Sequence, residues 1–124
     1  MKKPGLSGFK RLIAATEYSF KGLAAAWKCE EAFRMEIVLF VLLVPTAFWL
    51  GRSLVEQIVL ILVCVLVIVA ELINTALESV VDRISHQLHP LSGQAKDLGS
   101  AIVFVATLTT ITVWGLVVWD RFIA

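Results

Sequence analysis

The chain has 124 residues, 59% of them hydrophobic and only 17% charged, with a formal net charge of +1 and a mean hydropathy of +0.87. That is one domain's worth of sequence and too apolar for a water-soluble domain of this size; the apolar residues also fall in long blocks between charge clusters, which excludes disordered and solenoid chains and points to an integral membrane protein. The charge carries no sign of a nucleic-acid partner, and Cys29 beside a charged cluster and Cys64 within an apolar run give no support to a disulfide or thiolate metal site.

Met1 to Gly8 lacks the apolar core of a secretory signal, so no cleavage is expected. Over about 8–28, Phe9, Leu12, Ile13, Thr16, Phe20, Leu23 and Trp27 fall on one helical face, with Lys10, Arg11, Glu17, Lys21 and Lys28 elsewhere. This pattern predicts an amphipathic helix lying at the membrane interface. A first span is expected over about 33–50, where Ile37 to Leu50 is uncharged and Pro45 is tolerable as a kink that frees the Val41 carbonyl. Ser53-Leu54-Val55-Glu56 fits a capping box, which places a tight turn at Gly51-Arg52 and opens a second span over about 54–81. His89-Pro90-Leu91-Ser92-Gly93 is read as the break before a third span over about 98–120, uncharged from Ala101 to Trp119. Lipid offers no hydrogen bonds to an open backbone, so all spans are helices. The fold class is therefore all-α: a single membrane domain, 1–124, of one surface helix and three transmembrane helices.

Sidedness follows from the cations. Of the 11 Lys and Arg residues, Lys2, Lys3, Lys10, Arg11, Lys21, Lys28 and Arg34 precede the first span, Arg83 and Lys96 lie between the second and third, and only Arg52 and Arg121 lie on the opposite side. By the positive-inside rule the N-terminus is cytoplasmic and the C-terminus periplasmic, with Trp49 and Trp119 at the outer interface and Trp27 at the inner one.

Glu71, Asn74, Glu78 and Asp82 occupy one narrow sector of the second helix at about 100° per residue. Glu71 lies roughly 10 Å deeper than Glu78, at a depth where an ionisable group is costly unless paired or functional. A helix-helix polar contact is the plain alternative for Glu71 and Asn74, and a solvated face for Glu78 and Asp82. Glu30-Glu31 and Lys96-Asp97 face the same aqueous side. Such carboxylates suit a hard divalent cation and a phosphorylated partner, although the stripe alone also suits a proton relay. No Walker lysine loop or glycine-rich kinase loop occurs, which excludes a soluble-type nucleotide fold. His86 and His89 read as solvated loop residues, and Thr107, Thr109, Thr110 and Thr112 as interhelical packing groups.

The run Glu71-Leu72-Ile73-Asn74-Thr75-Ala76-Leu77-Glu78-Ser79-Val80-Val81-Asp82, followed by Leu91-Ser92-Gly93-Gln94-Ala95-Lys96-Asp97-Leu98-Gly99-Ser100-Ala101, resembles the signature of the small prokaryotic integral-membrane diacylglycerol kinases. The resemblance extends to Arg11, Tyr18-Ser19, Lys21-Gly22-Leu23, Ala26-Trp27 and Glu30 through Glu36. It implies ATP- and Mg2+-dependent phosphorylation of a membrane lipid alcohol by a homotrimer in the bacterial cytoplasmic membrane.

Position by position, the resemblance makes Glu71 the general base, gives the metal to Glu30 and Glu78, and lets Asn74 support them. ATP would be contacted by Arg11, Tyr18, Glu30, Glu78, Gln87, Leu88, His89, Lys96 and Asp97. The lipid would meet Arg11, Trp49, Glu71, Ser100, Trp114 and Trp119. The chain departs from the family pattern at Thr16-Glu17, where small residues are usual. An undecaprenol kinase shares the Glu-Asn-Glu stripe and the Lys-Asp pair, while Val81-Asp82-Arg83 and Leu91-Ser92-Gly93 lean toward diacylglycerol. A small proton- or cation-coupled transporter subunit would need polar groups across the full membrane, and the outer halves of the three spans carry no ionisable side chain.

Overall fold

The computed structural model describes residues 7–124, so Lys2 and Lys3 and the reading of the first residues as free of a signal lie outside the described residues. Four helices make up the fold: α1 Gly8–Cys29, α2 Glu31–Leu50, α3 Leu54–Ile84 and α4 Pro90–Phe122. There is no strand among the described residues. The last three helices are long and apolar enough to cross a membrane. With 31 and 33 residues, α3 and α4 are roughly 46 and 50 Å long, well beyond a hydrocarbon core of about 30 Å.

The helix ends follow from local chemistry. Glu30 alone, in extended conformation, separates α1 from α2. The Ser53–Glu56 capping box forms at the start of α3: the Glu56 N–H donates to Ser53 Oγ at 3.2 Å, and the Glu56 carboxylate accepts from the Arg52 N–H at 2.6 Å, one residue before the cap. Gln57 Nε2 donates to the carbonyls of Phe48 and Gly51, both at 3.2 Å, and so closes the end of α2. The second connection differs from the expected break. Pro90 does not end a helix but begins α4 as its first residue, Gly93 lies inside the helix, and His89 caps it by accepting from the Leu91 N–H at 3.1 Å. Proline is suited to that place because its fixed φ is helical and it has no N–H to leave unpaired.

Packing is centred on α3 and α4, with α2 laid on α3 and α1 touching α2. Ala47, Leu50 and Leu60 form the buried core, backed by Ile61, Val113, Trp114 and Val117. Two side chains of α4 hydrogen-bond to the backbone of α3: Thr110 Oγ1 to Val63 O at 3.0 Å and Trp114 Nε1 to Leu60 O at 3.2 Å. Of the four threonines, Thr109 and Thr112 instead bond carbonyls of their own helix. The Arg52–Asp120 ion pair ties the α2–α3 turn to the end of α4, where Trp49 also meets Phe122 at 6.0 Å between ring centroids. A second ion pair, Lys96–Asp82 at 2.8 Å, closes the opposite end. Phe33, Cys64, Ala70, Val81 and Ala106 are also buried, but many large apolar side chains face outward, Leu62, Phe104 and Ile111 among them, and in α1 only Ala26 is buried.

Gly51 is buried in the α2–α3 turn, and a Cβ there would lie 2.6 Å from Gln57 Cγ and 3.0 Å from the Ala47 carbonyl oxygen. Gly51→Ala should therefore destabilise the protein by about 1–3 kcal/mol through forced displacement of Gln57. Gly115→Ala, directed into open space inside α4, should instead leave the protein as stable or more stable, by up to about 1 kcal/mol. Thermal unfolding of the two variants in detergent micelles checks the contrast; equal behaviour would mean that the turn yields freely.

Candidate active site

The apolar surface of α3 runs without a charge from Ile58 to Ala70 and then meets Glu71, which is 5% exposed and the one buried charged residue among the described residues. Three other carboxylates act on it: Glu36 from α2, whose side chain lies against that of Glu71; Glu30 from the α1–α2 junction; and Glu78, two turns along α3. Asn74 lies between the two α3 carboxylates in the same sector and donates from Nδ2 to Glu78 Oε1 at 3.4 Å. Glu30, Asn74 and Glu78 are half-buried. Three oxygens in this region, Glu36 Oε2, Asn74 Oδ1 and Thr75 Oγ1, are buried without a hydrogen-bond partner in the single chain.

Toward the α3–α4 connection a cavity of about 480 Å³ opens, lined by Asp82, His86, Gln87, Leu88, His89 and Lys96 among others. The Lys96 ammonium is held at its edge by Asp82, not by its neighbour Asp97, which is exposed. A second cavity, of about 520 Å³, runs between α1 and α3 past Ser19, Gly22, Ala26, Glu30, Thr75 and Ser79. Its walls are mostly small side chains, with Leu23 and Leu72 among them, and Glu30 is the one charged residue that lines it.

The structure brings some of the site residues expected from sequence together and leaves others apart. Glu30, Glu71, Asn74 and Glu78 come together on α3 and the junction, and Gln87, Leu88, His89 and Lys96 share one cavity. Arg11 and Tyr18 are exposed on α1 and line neither cavity; the Tyr18 ring instead has Lys21 Nζ 5.6 Å from its centroid. Ser100 is exposed one residue beyond the buried Gly99. Trp49, Trp114 and Trp119 lie toward the other end. Trp114 is bonded to Leu60 O, roughly 16 Å along α3 from Glu71. Glu36 is the residue that sequence reasoning left without a role. Its signal was available as the last charge before the uncharged run of α2, close to where Glu71 ends the uncharged run of α3. Among the described residues no group of three or more His, Cys, Asp and Glu is arranged to enclose a metal ion.

Three helices long and apolar enough to cross a membrane, with a buried carboxylate among them, define a small membrane protein. A sequence model described as prokaryotic diacylglycerol kinase matches residues 17–118. Proteins named diacylglycerol kinase are similar over nearly the full length: that of Escherichia coli K12 is 45% identical over 116 residues, 94% of this chain and 95% of the relative. That of Pseudomonas aeruginosa is 50% identical over 109 residues, 88% of each chain, and that of Helicobacter pylori 26695 is 39% identical over 112 residues, 90% and 88%. The chain belongs to the prokaryotic diacylglycerol kinase family and is a membrane-protein member of that kinase family.

Proposed function

We propose that the protein transfers the γ-phosphoryl group of ATP to the free hydroxyl of diacylglycerol, giving phosphatidic acid at the inner face of the bacterial cytoplasmic membrane. The observation that carries this reading is the buried Glu71, at the end of an uncharged run of α3 and two turns from Glu78, in a chain of this family. A diacylglycerol hydroxyl stays at the interface and a nucleotide stays in water, so a base that serves the lipid belongs deeper than the groups that serve the phosphates.

In the proposed reaction Glu71 takes the proton of the lipid hydroxyl as its oxygen bonds to the γ-phosphorus. The bond from that phosphorus to the bridging oxygen breaks, and ADP leaves toward water. Phosphoryl transfer depends on alignment and on cationic charge at the equatorial oxygens. Lys96 supplies one such charge beside the cavity that holds Gln87, Leu88 and His89, which is the place we assign to the nucleotide. Arg11 and Tyr18 on α1, with Asp97, complete its binding. Mg2+ takes one or two carboxylates and fills its remaining positions with phosphate and water, so a pair such as Glu30 and Glu78 fits it without a three-residue protein cage. When bound, the ion neutralises phosphate charge. The chains of the lipid lie along α4 toward Trp114, Trp119 and Trp49, with Ser100 near the headgroup.

The same reading places α1 as an amphipathic helix on the inner surface, since Phe9, Leu12, Phe20 and Trp27 are exposed on it. It also calls for a homotrimer with sites shared between chains. Support comes from the unpartnered buried oxygens of Glu36, Asn74 and Thr75, and from an apolar groove of about 560 Å³ along α3 and α4, lined by Val69, Ile73, Ile102 and Val105 among others, which a lone chain leaves open.

Four measurements test the proposal. With defined lipids, phosphate should be transferred to diacylglycerol faster than to undecaprenol, and the reverse order would assign the chain to the undecaprenol-phosphorylating branch. Glu71→Gln should lower the rate of the chemical step by about 10²-fold or more while nucleotide binding persists, whereas Glu78→Gln should raise the magnesium requirement. An equal, modest loss in both without a metal effect would reduce the stripe to packing. A reporter fused after Ala124 should read as periplasmic, and a cytoplasmic signal would move the acidic stripe away from ATP. Finally, inactive Glu78→Leu chains mixed and reassembled with inactive Asp97→Asn chains should recover activity; none at any ratio, in trimers shown to contain both, would confine each site to one chain.

A further inference from the structure

Of the three glycines in α4, Gly93 and Gly115 have nothing within 4 Å of where a Cβ would stand, whereas Gly99 is buried against α3. A glycine inside a helix costs about 1 kcal/mol relative to alanine, so its presence there calls for a reason in packing. The space a Cβ would occupy is taken by the side-chain oxygen of Asn74, well inside contact distance, and Leu77 Cδ1 lies 3.4 Å from the same point. Asn74 Oδ1 is buried and accepts no hydrogen bond, while Nδ2 of the same amide donates to Glu78 Oε1. The two ends of the amide therefore do different things. Its oxygen is seated against the bare Cα of Gly99, and that seating leaves the NH2 group directed along α3 to the carboxylate.

We infer that Gly99 is a positioning residue for the reaction: its missing side chain seats the Asn74 amide, which in turn fixes the carboxylate of Glu78. The inference rests on the proposed role of Glu78 at the metal. A carboxylate oxygen that accepts from Asn74 orients its partner oxygen for a cation, and groups that orient a metal ligand from behind commonly change metal affinity by about 10- to 100-fold when altered. Lys96 precedes Gly99 by three residues on the same helix and pairs with Asp82. The close approach at Gly99 thus also sets the distance across which Lys96 meets α3, and an added methyl group would push on both.

The test is the rate of the full-length protein in mixed micelles as a function of free magnesium, at saturating ATP and diacylglycerol. Gly99→Ala should raise the magnesium concentration for half-maximal rate by about tenfold, and Gly115→Ala should not change it. In an Asn74→Ala background the shorter side chain makes room for the new methyl group, so adding Gly99→Ala should change the requirement by less than about twofold. The thermal midpoint should follow the same rule: the double variant should be more stable than Gly99→Ala alone, which keeps the inference open to test even where the single variant is too unstable to assay. Equal penalties in both backgrounds, or a lower rate at an unchanged magnesium requirement, would mean that Gly99 serves helix packing only. If Glu78→Gln moves the magnesium requirement and Gly99→Ala does not, this inference falls and the role of Glu78 stands. If Glu78→Gln leaves the requirement where it was, the assignment of Glu78 falls and the positioning role falls with it.

Discussion

Glu71 sits 5% exposed on a helix whose preceding thirteen residues, Ile58 to Ala70, carry no charge. An ionisable group at that depth costs several kcal/mol unless its surroundings compensate, and much of the fold can be traced to that requirement. The junction at Glu30 turns the chain so that α2 can bring Glu36 against Glu71, and α3 continues as one helix beyond its apolar run so that Asn74 and Glu78 follow in the same sector. The neighbours are carboxylates, which add to the electrostatic difficulty rather than relieve it. A structural polar contact would be built from opposite charges or hydrogen-bond donors; a cluster of like charges with unpartnered oxygens is suited to receiving a proton, a cation or a donor from elsewhere.

The register of α3 against α4 is fixed at both ends and in the middle. The Arg52–Asp120 pair holds one end, Lys96–Asp82 the other, and the bonds from Thr110 and Trp114 to α3 carbonyls lie between. Interhelical hydrogen bonds in membrane proteins average only about 0.6 kcal/mol each, and exposed ion pairs are weak, so none of these is a large source of stability. Their effect is geometric. Apolar faces slide past one another with little change in contact area, whereas four directional contacts spread along two antiparallel helices permit one register, the one in which Gly99 faces Asn74.

The elements legible in the sequence were those carried by periodicity and local chemistry. Uncharged runs marked α2, α3 and α4, and the Ser53–Glu56 box marked the start of α3, because a cap and an apolar block are written in consecutive residues. What joins different helices was not legible in that way. Lys96 beside Asp97 suggests a pair, but consecutive residues on a helix diverge by about 100° and do not face each other, and Lys96 turns to Asp82 on α3 instead. Pro90 and Gly93 read as a break, yet Pro90 is the first residue of α4 and the connection shrinks to Ser85–His89. Glu36 could be seen as the last charge before a span, while its contact with Glu71 depends on how α2 leans on α3. The seat of Asn74 at Gly99 depends on helix separation, which no spacing within one helix specifies.

The length of α3 connects these points to the proposed chemistry. A helix of 31 residues is roughly 46 Å long, so about 16 Å of it extends past a hydrocarbon core of about 30 Å. With the core beginning at Leu54, its roughly 20 residues would end near Ile73, so that Glu71 would lie just inside its edge and Glu78 in the part that extends past it. One rigid element can therefore hold a carboxylate at the depth of a lipid hydroxyl and another at the depth of a solvated phosphate, with Asn74 between them and bonded to the lower one. In the proposed reaction, two substrates that do not share a solvent would be brought to one line by a helix that spans the boundary between their solvents. Because a helix this long is stiff, the separation between those two carboxylates does not depend on the packing of α1, which touches mainly α2.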